Sequence, residues 1–240
     1  MRWLAYELEP PRAGALGTAR VEFENAGSAP WRELKVSYHW LDPLGNPIVW
    51  DGLRSEVPPL APGERATVEL RVRAPMPPGR FRFAFDLVLE LRYWLEEVGN
   101  APLALEVDVS PRIERALAVT GAPQPSNQDE QLVALDEAEA IAHLVPGVEP
   151  APDWSRRVLD AHQEGYALVA GAIDAGRSRA LAPWRPGGGR NPAFAEPLLC
   201  PSVVREVAPD WLDPVEGLPA VAPPGVEPWV YDGRIVLRRR

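Results

Sequence analysis

Arg80–Gly99, RFRFAFDLVLELRYWLEEVG, decides the fold of the chain's first half. Phe81, Phe83, Phe85, Leu87 and Leu89 occupy every second position, the period that places side chains on one face of a β-strand. The opposite face opens polar with Arg80 and Arg82, then turns small and mixed through Ala84, Asp86 and Val88. A strand this aromatic needs an apolar layer opposite it, so the stretch predicts two packed sheets.

The neighbouring segments supply that layer. Arg20–Glu24 alternates, with Val21 and Phe23 on one face, and Asn25-Ala26-Gly27-Ser28 turns the chain towards Trp31. Leu34–Leu41 puts Leu34, Val36, Tyr38 and Trp40 on one side. The run from Asp42 to Pro47 is a dense turn signal, followed by a short strand over Ile48–Trp50. Ala66–Ala74 directs Val68, Leu70 and Val72 inward and Thr67, Glu69, Arg71 and Arg73 outward. Leu103, Leu105, Val107 and Val109 form the last strand. About seven short strands at this spacing fit an Ig-like sandwich over residues 1–112, and a partly open barrel fits the same pattern.

Taken in order, NAGSAPW, VSYHWLDPLGNPIVWDGLRSEVP, LAPGERATVELRVRAP, PPGRFRFAFDLV and W-x-x-x-VG-x-x-PL resemble the bacterial Ig-like (NBR1-like) domains over roughly residues 15–110. The resemblance makes Trp31, Trp40, Gly63, Asp86 and Trp94 the recurring positions. It implies a non-catalytic module attached to proteins of cell-envelope glycan synthesis. Trp31, Trp40, Trp50 and Trp94 are either core residues or an aromatic platform for a sugar. His39 is out of phase with Tyr38 and Trp40, which predicts a solvent-facing side chain. Glu96 and Glu97 read as a solvated loop end.

Composition limits the function classes. The 240 residues suffice for two domains, and a net charge of −9 disfavours nucleic acid and anionic membrane surfaces as partners. Cys200 is the only cysteine, which excludes an internal disulfide. The opening MRWLAYELEPPR has neither a basic nor an apolar leader region, and no apolar run reaches the roughly 20 residues of a membrane helix. A cytoplasmic protein with no membrane insertion is the expectation. Its 29 prolines and 19 glycines predict short elements and many turns.

Residues 113–130 read as a linker and 131–240 as a small, loop-rich α/β or irregular domain. Leu132–Leu144 has helical spacing, and a helix over Trp154–Glu164 follows Asp153 as N-cap. Ala167–Ile173 reads as a buried strand, as does Leu198–Val204 with Cys200 as a small core residue. Asp232-Gly233 predicts a type I′ hairpin within Trp229–Leu237. Arg238–Arg240 reads as a solubilising tail.

Val148–Asp174, VEPAPDWSRRVLDAHQEGYALVAGAID, resembles the middle of family 2 glycosyltransferases of the GT-A fold. That likeness implies a nucleotide-sugar and Mn²⁺ or Mg²⁺. The metal-binding acidic motif is not matched, because Asp136 and Glu137 are adjacent and point to different sides. The stretch Trp184, Arg185, Gly187, Gly188, Gly189 and Arg190 offers backbone N–H groups and charge for an anion, or is a surface turn. His39, His143 and His162 lack ligand-like spacing, and Asp160 and His162 do not face each other on a helix. No catalytic residue and no resident cofactor are assigned. The leading expectation is a binding or assembly protein whose partner is a protein or a glycan; the alternative is a glycosyltransferase-related enzyme or fragment.

Overall fold

A computed structural model describes residues 1–144, 146–173, 200–207 and 227–239. The class is mainly β, and α1 (Trp154–Glu164) is the single α-helix among the described residues. The chain divides into two compact units, Met1–Ser110 and Pro111–Arg240.

In the first unit one antiparallel sheet has the order β1 (Arg2–Leu8), β2 (Leu16–Glu24), β6 (Arg65–Arg73). The other has the order β4 (Pro47–Val49), β3 (Leu34–Leu41), β7 (Gly79–Leu89), β8 (Tyr93–Trp94). β5 (Ser55–Glu56) also pairs with β3, and β9 (Leu103–Val109) with β7. The two sheets share one core. Val21, Phe23, Val68, Leu70 and Val72 enter from the first, and Tyr38, Trp40, Phe83, Phe85 and Leu87 from the second. Burial of each large apolar side chain here contributes about 1.5–3 kcal/mol. Phe83 is the packing centre, stacked on Tyr38 at 5.4 Å and edge-on to Trp40 at 4.8 Å and Phe85 at 4.7 Å.

β6 alternates buried and exposed as its sequence predicts. β7 does so only as far as Phe83. From Ala84 to Val88 every residue is buried on both faces. The inward face meets the core, so something else must cover the outward one.

The second unit holds a mixed sheet in the order β10 (Leu117–Thr120), β11 (Ala140–His143), β14 (Ser202–Val204), β13 (Leu168–Ile173), β15 (Trp229–Arg239), β12 (Val148–Pro150). Helix α1 contributes Trp154, Val158 and Leu159 to its core. Four expectations are corrected in this unit. Leu132–Leu144 is not a helix; residues 135–137 turn, and Ala140–His143 pair parallel with β10 and antiparallel with β14. Two flanking strands outweigh an intrinsic preference worth only tenths of a kcal/mol per residue. Residues 113–130, expected as a linker, contribute β10 to this sheet.

The Asp232-Gly233 hairpin is the third correction: β15 is one strand with an irregularity. Gly171 pairs with Asp232 and Ala172 with Val236, which loops residues 233–235 out of the parallel ladder. Asp232 Oδ1 accepts the Arg234 backbone N–H at 2.9 Å, an Asx-type bond that shapes the bulge. The predicted Asp153 cap also differs, since its carboxylate makes no capping bond and pairs with Arg157 one turn on.

Candidate functional site

The cover over the outward face of β7 is built from two loops. In the β3–β7 register His39 lies opposite Ala84 and Ser37 opposite Asp86. Residues 50–54 cross above them. Gly52 donates its N–H to the Tyr38 carbonyl at 3.1 Å, and Ser37 Oγ donates to the Leu53 carbonyl at 3.0 Å. Gly52 is required at this approach, because a Cβ there would stand 2.6 Å from the Tyr38 carbonyl oxygen.

Beneath the loop, His39 is 1% exposed and Asp86 fully buried, so the solvent-facing reading of His39 is corrected. The imidazole stacks under Trp50 at 4.1 Å, meets the edge of Trp94 at 4.4 Å, and bonds through Nδ1 to the Trp50 carbonyl. Asp86 accepts the Leu87 N–H at 2.7 Å and, from the second loop, the Glu96 N–H at 3.3 Å. Glu96 begins a short 3-10 turn, Glu96–Val98. Its neighbour Glu97 turns back to accept the Trp94 N–H at 3.1 Å.

Above this floor, Trp50 keeps 43% of its surface exposed, and Leu53, three residues on, is also exposed. The Arg54 guanidinium lies 5.6 Å over the Trp94 ring and pairs with Asp51 and, at 3.2 Å, with Glu90. Lys35 bridges Glu56 at 3.2 Å and Glu90 at 3.8 Å. The result is an aromatic surface ringed by charges of both signs. Of the four tryptophans offered as core or platform, Trp40 is fully buried, Trp94 nearly so, Trp31 half-buried, and Trp50 exposed.

The second unit has a different polar centre. His162 on α1 is fully buried; its Nδ1 donates to the Tyr166 carbonyl at 2.8 Å, and its Nε2 accepts from Ser202 Oγ at 2.9 Å. That is nucleophile–base geometry, but Ser202 is itself buried, at 1% exposure, so the pair is closed to solvent here. Burial, opposed by the Tyr166 bond and aided by the Arg112 charge, lowers the His162 pKa to about 4. Arg112, 2% exposed, donates to the Gly165 carbonyl at 2.8 Å and to Glu206 at 2.6 Å. The His162–Ser202 bond is a fastening between α1 and β14. Cys200 is buried in the same core.

An open cleft of about 570 Å³ lies between residues 122–128 and 146–152, with Gln124, Ser126, Asn127, Gln128, Glu149 and Arg238 as its polar lining. Asp136 and Glu137 sit exposed on a turn. Trp184, Arg185, Gly187, Gly188, Gly189 and Arg190 lie outside the described residues.

No family model matches the chain, and neither does any curated protein. Among solved structures it is similar to a family 123 glycoside hydrolase from Clostridium perfringens, at 9% identity and a TM-score of 0.29. That match covers 45% of this chain and 24% of the other, and at this score it bears on neither fold nor activity.

Proposed function

We propose that the protein is a non-catalytic binding and assembly protein whose recognition module is an Ig-like sandwich in the first unit, serving cell-envelope glycan synthesis. The observation that carries this reading is Trp50, 43% exposed and seated flat on His39. Asp51, Arg54 and Glu90 lie around it. A sugar ring stacks its C–H face on such an indole while carboxylates and a guanidinium take its hydroxyls. The preformed loop reduces the ordering cost of binding.

Titration of the whole chain with envelope oligosaccharides, followed by tryptophan emission and calorimetry, tests the proposal. Saturable binding that Trp50→Ala weakens at least about tenfold, with the far-UV spectrum unchanged, is expected. Oligosaccharides that bind equally to both chains, or to neither, count against it.

A second reading, a glycosyltransferase-related enzyme or fragment using a nucleotide-sugar, is favoured by one observation. Helix α1 and strand β13 follow one another in the order that the likeness of Val148–Asp174 implies. Saturable nucleotide-sugar binding that depends on Mn²⁺ or Mg²⁺ would select this reading over the first.

A further inference from the structure

We propose that His39 Nε2, an Asp86 carboxylate oxygen and the Glu96 carboxylate form a binding site for one divalent transition-metal cation of the zinc class. Their ligand atoms all lie within 4.8 Å of one another. The site goes beyond the recognition surface and does not depend on what, if anything, that surface binds.

The first argument is the orientation of His39. Its Nδ1 is engaged by the Trp50 carbonyl, which as an acceptor takes the ring N–H. That leaves Nε2 as the atom available to a metal, and it is buried without a hydrogen-bond partner. It faces Asp86 Oδ2 at 3.9 Å, too far for a hydrogen bond. A cation between this nitrogen and the buried carboxylate would give Nε2 the partner it lacks and the carboxylate a counter-charge. A backbone carbonyl holding the far nitrogen is also the arrangement that orients metal-bound histidines.

Distance and charge supply the second argument. Ligands at about 2.0–2.2 Å from a tetrahedral ion stand about 3.3–3.6 Å apart. The His39–Asp86 gap of 3.9 Å closes to that with a shift of a few tenths of an ångström. Glu96 is exposed, so its side chain is free to swing in as the third ligand and leave the fourth position to water. One imidazole with two carboxylates suits zinc or its first-row neighbours better than calcium, which prefers an all-oxygen shell. The cation would also neutralise Asp86, which is fully buried. Because Trp50 and Glu96 belong to different loops, it would staple both onto the sheet.

The experiment uses the full chain stripped with a chelator and titrated with Zn²⁺ against a chromophoric competitor, then with Co²⁺ for its visible spectrum. One equivalent of Zn²⁺ is expected, with a tetrahedral-type Co²⁺ band. Glu96→Gln, at an exposed position, is expected to weaken uptake at least about tenfold while the metal-free chain melts as the wild type does. His39→Gln should abolish the Co²⁺ band; if that variant fails to fold, Glu96→Gln carries the test. Absence of saturable uptake by the wild type, or uptake unchanged in Glu96→Gln, overturns the proposal. Neither result touches the oligosaccharide titration, so the two proposals fail separately.

Discussion

Tyr38 Oη accepts the backbone N–H of Arg73 at 2.9 Å, and Trp40 Nε1 donates to the carbonyl of the same residue at 3.0 Å. Two side chains of β3 thus cross the first unit's core and satisfy both backbone groups of one residue at the end of β6. The bonds add a directional tie between the two sheets to the apolar packing that already sets their offset. Tyr38→Phe keeps the ring and removes the hydroxyl that accepts the Arg73 N–H. A loss of about 1–2 kcal/mol is expected in urea unfolding followed by far-UV dichroism. An unchanged midpoint would mean that water takes over the N–H and that the tie adds nothing to stability.

Gly52→Ala tests how the recognition loop is seated. The new methyl would stand 2.6 Å from the Tyr38 carbonyl and 2.7 Å from its ring, so the loop must lift. We expect a cost of about 1–3 kcal/mol, and a red-shifted tryptophan emission as Trp50 leaves its stack on His39. The double variant Gly52→Ala/Trp50→Phe assigns that shift to Trp50 if the shift vanishes.

The core of the first unit was legible because the alternation of β3, β6 and β7 names its inward residues one by one. Its candidate sites were not. His39 stands at the position that alternation assigns to solvent, and Trp50 from one loop with Trp94 beside it buries the ring. One clue was available: the outward face of β7 turns from Arg80 and Arg82 to Ala84, Asp86 and Val88, a change that announces a second cover. In the other unit, Leu132–Leu144 carried helical spacing, yet the partners that make Ala140–His143 a strand are as remote as Val204. Asp232-Gly233 looked like a hairpin turn because the pair suits one; the parallel partner Gly171 could not be read from the local pattern.

Gly171→Ala probes that parallel pairing. A Cβ at this position would lie 2.3 Å from the Ile235 carbonyl oxygen and 2.7 Å from its Cγ2, contacts that neither backbone nor a β-branched side chain can relieve. At least about 2 kcal/mol of stability should be lost. Amide exchange would report it as faster exchange in β13 and β15 while β3 and β7 keep their protection. Equal loss of protection in both units would show that they unfold together.

His162 makes the second unit acid-sensitive. An unfolded histidine titrates near 6.5, and burial holds this one at about 4, so the fold binds the neutral ring preferentially. Its contribution is therefore complete above about pH 6.5, declines as pH falls, and is gone below about pH 4. The full span amounts to about 3 kcal/mol. The His162 Cε1–H resonance should hold its neutral position down to about pH 5 and move near pH 4. Arg112→Met removes a charge that disfavours the imidazolium, so it should move that transition upward in pH even as it weakens the fold by leaving the Gly165 carbonyl without its donor. A resonance titrating at the ordinary histidine position would mean that water reaches the ring, and the Ser202 hydroxyl would then be open to chemistry that its burial now forbids.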